Sequence, residues 1–362
     1  MSENVDTTMA PLKIGRPTSR LSRLFESRMI GWVAIAIALL APFVTATPYA
    51  LNVMTTAAIF VLLASGLNIV VGYCGLLDLG YIAFMAVGAY TAGIVSKSFG
   101  LPLIFTIPVV LVMTVLAGLI IGAPTLRLRS DYLAIVTLGF GEITRVTANN
   151  LSITGGPSGI FGIPGLLKIG DFDPQQPALL YYVTVLVVAT FVLASARLGR
   201  SRLGRAWRFV REDEDAAEAM GIHTYKVKLL AYIFGAIWGG LGGVLFAAHL
   251  SAVSPQSFIF LQSALVLMAV VLGGMGNMRG VVIGALVISL LPEFLREFAA
   301  HRYLAFGVLL VLVMVFRPQG FWPARGYEPE RPERPESPES PERPERASGG
   351  TVEPVVARGK SL

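Results

Sequence analysis

Hydrophobic residues in this chain gather into long runs that alternate with short polar segments. A helix of about 20 apolar residues is long enough to cross the roughly 30 Å hydrocarbon core of a bilayer. Ten runs reach or approach that length, at residues 30–46, 49–71, 79–96, 102–122, 132–149, 178–196, 229–250, 262–275, 280–297 and 299–316. The pattern predicts an all-α, polytopic integral membrane protein with about ten transmembrane helices.

The composition fits a chain that meets lipid over much of its surface. Of the 362 residues, 54% are hydrophobic and 14% are charged, whereas soluble domains carry roughly 25% charged residues. The single cysteine, Cys74, cannot form an internal disulfide, and the three histidines are too scattered to share a metal ion. The sequence therefore argues against a soluble enzyme and predicts no metal, no cofactor and no nucleic-acid partner.

Polar segments flank the predicted membrane domain, which runs from residue 30 to 322. Residues 1–29 form a basic amino-terminal arm. Residues 323–362 form a tail rich in Pro, Glu and Arg, which cannot bury apolar surface. We expect this tail to be disordered.

Basic residues set the expected orientation, because Lys and Arg near the ends of spans stay on the cytoplasmic side. With the amino terminus inside, the predicted inner segments hold most of the Lys and Arg. The predicted outer segments hold only Lys97, Lys168 and Arg302. We therefore expect an even number of spans, with both termini in the cytoplasm.

The longest predicted inner loop, residues 197–228, contains a short helix with identifiable ends. The acidic run at 212–215 suits the first turn of a helix, where carboxylates meet the positive end of the helix dipole. Gly221 can take the left-handed conformation that ends a helix, with Ile222 folding back onto the last turn. Three residues between these ends are expected to form a small apolar face: Ala216, Ala217 and Met220. Such a face suits either a partner surface or a short amphipathic connector.

Glycines recur every four residues in the predicted span at 229–250, at Gly235, Gly239 and Gly243. This spacing places them on one face of a helix and lets another backbone approach closely. The sequence predicts close helix packing there, either within this chain or against a partner chain.

An acidic and a basic residue interrupt the predicted span at 132–149. Glu142 and Arg145 are three residues apart, so they can form a pair within the helix that lowers the cost of either charge in lipid. Thr137 and Gly139 leave the same helix polar or thin. Two interpretations remain open, a buried structural pair and a path for a passing substrate.

Several stretches resemble one family of transporters. Asp215, Ala216, Ala217 and Gly221 reproduce the Glu-Ala-Ala-x-x-x-Gly spacing of the cytoplasmic loop in ABC importer permeases, with aspartate in place of glutamate. Longer stretches resemble branched-chain amino-acid ABC permeases, and most of all the M-type subunit of leucine/isoleucine/valine importers. They are GYCGLLDLGYIAFMAVGAYTAGI at 72–94, DYLAIVTLGFGEITR at 131–145, TGGPSGIFGIPGL at 154–166, VSPQSFIFLQSALVLMAVVLGGMGNMRG at 253–280, LPEFLREF at 291–298 and FRPQG at 316–320. The resemblance runs from about residue 30 to 322.

The resemblance implies a ten-helix permease subunit in the bacterial inner membrane, without an ATPase site of its own. Its implied partners are a second homologous permease, two ATP-binding subunits and a periplasmic substrate-binding protein. The segment from Asp215 to Gly221 is then expected to dock into the ATPase subunit. The expected cargo is a branched-chain or related amino acid, with urea or a short amide as the alternative within the family.

The predicted outer loop from Thr154 to Pro164 is rich in glycine and proline and cannot continue a helix. We expect Pro255 and Gln256 on the same side of the membrane. This side forms either a surface for the binding protein or an ordinary structured loop.

Two other classes of function fit the sequence less well. An ion-coupled secondary transporter needs an ionisable site near the membrane midplane, for which Glu142 is the main candidate. Such a transporter leaves the motif at 215–221 without a role. A membrane enzyme needs a nucleophile, a base and an orienting group, and the motif residues supply no such set.

Overall fold

The computed structural model describes residues 47–126, 130–166 and 177–294, together with Gly307. The basic arm, the predicted first span at 30–46 and the tail at 323–362 lie outside the described residues. The predicted last span at 299–316 lies outside them as well, apart from Gly307.

Helices make up most of the described chain. They are α1 (Pro48–Leu67), α2 (Ile82–Phe99), α3 (Ile107–Thr125), α4 (Ser130–Asn150), α5 (Pro177–Leu198), α6 (Arg202–Glu212), α7 (Glu214–Ala219), α8 (Thr224–Leu250), α9 (Phe260–Gly273) and α10 (Met278–Phe294). A π-helical turn, Asn68–Tyr73, continues α1, and short 3-10 turns occupy Leu103–Thr106, Gly156–Ser158 and Pro255–Phe258. Two short antiparallel strands, β1 (Ile160–Phe161) and β2 (Ala252–Val253), pair Ile160 with Val253 and Phe161 with Ala252.

The predicted spans correspond to helices throughout the described part of the chain. Eight of the ten apolar runs fall there, and each forms a helix close to its predicted position. Five helical segments are long and apolar enough to cross a membrane: Pro48–Tyr73, Ile82–Phe99, Leu103–Thr125, Pro177–Leu198 and Thr224–Leu250. The expected all-α, polytopic membrane fold is confirmed.

Local sequence signals fix the ends of several helices. Pro48 occupies the first position of α1, where its missing N–H costs no hydrogen bond. The Thr47 hydroxyl caps the same end by accepting the Ala50 N–H at 3.4 Å. Gly100 ends α2 in the left-handed region, with φ +62°.

Helix α8 lies at the centre of the bundle and packs against α1, α2 and α3. Its three regularly spaced glycines meet helices of the same chain. A Cβ at Gly235 would lie 2.4 Å from Val70, one at Gly239 would lie 2.8 Å from Phe84, and one at Gly243 would lie 2.2 Å from the Met85 carbonyl oxygen. Real Cβ atoms do not approach other atoms that closely, so the neighbouring segments can lie this near to α8 only because these positions are glycine.

The two ends of the bundle carry different structures. One end holds the α6–α7 unit, the π-helical turn and the connection between α9 and α10. The Gly276 N–H of that connection donates to the Asn68 side chain of the π-helical turn at 2.9 Å. The other end holds β1 and β2, and there the Ile163 N–H donates to the Ser251 carbonyl at 3.1 Å. This arrangement matches the predicted alternation of inner and outer loops across the described spans.

Replacing Gly243 with alanine is expected to destabilise the bundle, because the new methyl group would overlap the Met85 carbonyl. Overpacking of this kind costs about 1–3 kcal/mol. Gly139→Ala is the matched control, because Gly139 is also helical and a Cβ there would have no heavy atom within 4 Å. The control should be neutral or stabilising by about 0.5–1 kcal/mol. Thermal unfolding in detergent, followed by far-UV circular dichroism, measures both, and equal midpoints for the two variants would contradict the packing described.

Candidate functional site

The α6–α7 unit is a helix-turn-helix in which one residue serves both helices. Asp213 ends α6, and its N–H donates to the Phe209 carbonyl at 3.1 Å. Its carboxylate caps α7 by accepting the Ala216 N–H at 2.9 Å. Glu214 and Asp215 follow in the first turn of α7, where the helix dipole favours negative charge. The predicted acidic start of this helix is confirmed for Asp213, Glu214 and Asp215, whereas Glu212 is the last residue of α6.

The far end of α7 closes with a glycine cap. Gly221 has φ +82°, and its N–H donates to the Glu218 carbonyl at 2.9 Å. The Ile222 N–H donates to the Ala217 carbonyl at 3.0 Å. These two bonds form a Schellman motif, so the predicted ending of the helix is confirmed.

The predicted apolar face of α7 is wrong in one member. Ala216 and Met220 are exposed, and Met220 keeps 82% of its surface. Ala217 is buried, with 2% exposure. Neighbouring helix positions point about 100° apart, so Ala217 turns inward when Ala216 and Met220 share the outward face. The outward surface of α7 and its C-cap therefore includes Asp215, Ala216 and Met220, together with Glu214, Glu218 and Ala219, which are exposed as well.

Two contacts fasten the α6–α7 unit to the start of α8. Trp207 is fully buried, and its Nε1–H donates to the Val227 carbonyl at 2.8 Å. Lys228 forms an ion pair with Glu214, and the Lys228 side chain is only 9% exposed. Sequence reasoning missed this role of Trp207, because nothing local marks it as a core residue.

One side of α4 faces the non-helical linker between the π-helical turn and α2. The Thr137 hydroxyl accepts the Leu79 N–H at 3.1 Å and donates to the Ala134 carbonyl at 3.0 Å. A Cβ at Gly80 would lie 1.7 Å from the Thr137 carbonyl oxygen. Thr137 is therefore buried against this linker and does not share a face with Glu142.

The opposite side of α4 is exposed and carries the predicted ion pair. The Arg145 Nε–H lies 3.1 Å from each carboxylate oxygen of Glu142. The predicted pair forms at the surface of this chain, where the Glu142 side chain is 49% exposed and that of Arg145 is 25% exposed. The same exposed stripe includes Ile135 and Ile143, which are 67% and 66% exposed.

Asp78 is a buried charged group that the sequence interpretation missed. Its side chain is fully buried, and one carboxylate oxygen accepts the Gly80 N–H at 2.9 Å. The other oxygen has no hydrogen-bond partner among the described residues. The available signal was an acidic residue between two apolar runs, in the segment at 74–81 where the helix is broken.

The predicted outer loop is an ordered structure joined to the segment after α8. β1 pairs with β2, and a Cβ at Gly159 would lie 2.1 Å from the Val253 carbonyl oxygen. Pro255 and Gln256 follow β2 after a single residue, so they lie at the same end as this loop. Among the described residues, no three His, Cys, Asp or Glu side chains are placed to hold a metal ion.

Most of this chain is similar in sequence to one family of transport proteins. A sequence profile of the family described as "Branched-chain amino acid transport system / permease component" matches residues 49–316. The high-affinity branched-chain amino acid transport system permease protein LivM of Escherichia coli K12 is 42% identical over 295 residues, covering 75% of this chain and 69% of LivM. LivM of Salmonella typhimurium is 40% identical over 312 residues, covering 80% and 73%.

A second type of permease is more distantly similar. The LivH permease protein of the high-affinity branched-chain amino acid transport system of Escherichia coli K12 is 23% identical over 287 residues, covering 74% of this chain and 92% of LivH. No solved structure matches the chain significantly.

The family profile spans most of the chain, and both LivM relatives exceed the identity at which common descent is secure. The exposed apolar helices agree with residence in a bilayer. The chain is a multi-pass membrane protein that belongs to the family of branched-chain amino acid transport system permease components.

Proposed function

We propose that this chain is the permease subunit of an ATP-binding-cassette importer that carries branched-chain amino acids across the inner membrane. The observation that carries the proposal is the 40% to 42% identity to two LivM proteins over most of the chain. The chain also resembles LivH, which is named as a permease of the same kind of transport system. That double resemblance supports a second, homologous permease as its partner. Separate ATP-binding subunits and a periplasmic binding protein complete the proposed transporter.

The α6–α7 end of the bundle faces the cytoplasm in this proposal. Basic residues gather there among the described residues, as cytoplasmic retention of Lys and Arg requires. They are Arg197, Arg200, Arg202, Arg205, Arg208, Arg211, Lys226, Lys228 and Arg279. At the opposite end the described chain carries Lys97, and Arg145 is paired within α4.

The outward face of α7 is the proposed docking surface for an ATP-binding subunit. Asp215 and Ala216 are exposed there, and Met220 projects an apolar side chain that is 82% exposed. The helix is short, has both ends capped, and is fastened to α8 through Trp207 and Lys228. A small, firmly held helix of this kind can pass a push from a partner into the bundle without bending.

The exposed side of α4 is proposed to face the second permease and the translocation path. An ion pair at membrane depth is costly in contact with lipid, so such groups face protein or a water-filled cavity. Gly139 lies on this side and leaves open space beside the helix. A zwitterionic amino acid carries one ammonium and one carboxylate group, which complement Glu142 and Arg145. A neutral urea or amide cargo would not use this complementarity.

Substituting Ala216 with arginine is expected to lower ATP-dependent leucine uptake by about tenfold or more, because a bulky cation would hold the ATPase groove away from α7. The measurement is uptake of labelled leucine into proteoliposomes that contain the complete transporter. Glu218→Ala is the matched control, because Glu218 is exposed on the same helix about 200° around its axis from Ala216. Ala217 is unsuitable for this test, since its burial makes a substitution affect folding as well.

Two results would contradict the proposal. Wild-type uptake by Ala216→Arg would remove the docking role of α7. Concentrative uptake by this chain without any ATP-binding subunit would instead favour an ion-coupled secondary transporter.

Neutralising the α4 pair with Glu142→Gln and Arg145→Gln together is expected to reduce uptake while membrane insertion stays normal. Both replacements are neutral, so the double change leaves no unpaired charge in the membrane. The exchanged pair, Glu142→Arg with Arg145→Glu, keeps the internal salt bridge but reverses its direction, and it serves as the control. For both variants, the rate of leucine uptake and the amount of chain inserted in the membrane are measured. Full uptake by the neutralised chain would exclude a role for the pair in the path.

A further inference from the structure

One arginine of the α6–α7 unit reaches out of that unit to a membrane span. The Arg211 Nη1–H donates to the Gly72 carbonyl, and a Cβ at Gly75 would lie 2.8 Å from the Arg211 Cγ. The neighbouring arginines bond within their own loop: Arg205 to the Arg200 carbonyl at 3.2 Å, and Arg208 to the Gly199 carbonyl at 2.7 Å. Arg211 thus has a partner of a different kind from the other arginines of α6.

The carbonyl that Arg211 holds belongs to the π-helical turn at Asn68–Tyr73. Such turns are rare and frequently occur at functional sites. A Cβ at Gly72 would lie 1.9 Å from the Asn68 Oδ1, so the turn closes tightly on the Asn68 side chain. That oxygen also accepts the Gly276 N–H at 2.9 Å. The turn is therefore bonded both to the α6–α7 unit and to the connection between α9 and α10.

The same turn continues into the non-helical linker, residues 74–81, which reaches α4. Asp78 lies buried in this linker, and the Leu79 N–H donates to the Thr137 hydroxyl. A Cβ at Gly141 would lie 3.4 Å from the Gly80 Cα, so the linker packs on the backbone of α4. Contacts therefore run without a gap from Arg211, through the π-helical turn and the linker, to the helix that carries Glu142.

We propose that Arg211 is the positioning residue that passes movement of the α6–α7 unit to the π-helical turn and the linker, and through them to α4. This inference rests on the proposed function, in which an ATP-binding subunit moves α7. α7 and Arg211 move together because Asp213 is both the C-cap of α6 and the N-cap of α7. Among the hydrogen bonds of the described residues, the bond from Arg211 to Gly72 joins this unit to segment 68–81.

A purely structural role makes a different prediction. An arginine can stabilise the free carbonyls at the end of a helix without carrying any movement. Loss of such a cap would loosen the turn in every state of the transporter. Loss of a mechanical link would instead leave the resting state intact and abolish its response to nucleotide.

Cys74 provides a native reporter for this distinction. It directly follows the π-helical turn, is 2% exposed, and is the single cysteine in the sequence. Burial raises the pKa of the Cys74 thiol to about 12. The thiol is therefore protonated and unreactive in the conformation described here. A maleimide can label it only when the linker moves.

The experiment uses the complete transporter in proteoliposomes, with maleimide labelling of Cys74 measured in the nucleotide-free and vanadate-trapped states. In the wild type, vanadate trapping is expected to raise the labelling rate of Cys74 by about tenfold, because the local opening equilibrium of the linker shifts. Arg211→Met should abolish that change and lower leucine uptake by about tenfold, the effect of losing one charge-assisted hydrogen bond. Arg211→Lys should restore part of both, because it keeps the charge and one donor.

Arg205→Met is the matched control, since it removes an arginine of the same helix whose bond stays within the loop. It should keep both uptake and the nucleotide-dependent labelling. The ATP-binding subunits must still copurify with the Arg211→Met chain, because that result separates a lost link from lost docking.

Three outcomes would overturn the inference. They are nucleotide-dependent labelling that persists in Arg211→Met, rapid labelling of that variant already in the nucleotide-free state, and loss of its ATP-binding subunits. Failure of the proposed function has a different signature, because the wild-type complex would then show no ATP-dependent leucine uptake at all.

Discussion

The close approach of α8 to its neighbours is the constraint on which the rest of the described structure depends. A Cβ at Gly243 would lie 2.2 Å from the Met85 carbonyl oxygen, and one at Gly240 would lie 2.3 Å from the Thr114 side chain. Inside a bilayer, apolar side chains gain little by leaving lipid, so helices associate through close packing and hydrogen bonds. Small residues along α8 therefore determine that α1, α2 and α3 gather around it. This block gives the other elements a fixed base.

The elements proposed to act in transport are attached to that block in two different ways. The α6–α7 unit is fastened to α8 through Trp207 and through the ion pair of Lys228. The linker at 74–81 is non-helical, and it lies between α1 and α2 where both pack on α8. A broken helix beside a firmly packed one can shift without separating the bundle. The linker packs on one side of α4, and the opposite side of that helix carries Glu142 and Arg145.

Features that depend on local sequence could be predicted, and those that depend on tertiary contacts could not. Span positions follow from apolar length, and the ends of α7 follow from Asp213 and Gly221, whose bonds stay within a few residues. The inward turn of Ala217 and the exposure of Glu142 depend on which side of a helix meets a neighbour. No periodic pattern in a uniformly apolar or very short helix reveals that side. The burial of Asp78 was missed because it too depends on tertiary contacts, which surround the non-helical linker.

Pulsed electron paramagnetic resonance measures most directly whether the α6–α7 unit and the linker move as one body. Spin labels suit Met220, Leu77 and Phe99, which are 82%, 37% and 72% exposed. Between the nucleotide-free and vanadate-trapped states of the complete transporter, the distance from Met220 to Leu77 should stay constant while that from Met220 to Phe99 changes. A Met220 to Leu77 distance that shifts by several ångströms would contradict the account, because the unit would then move without the linker.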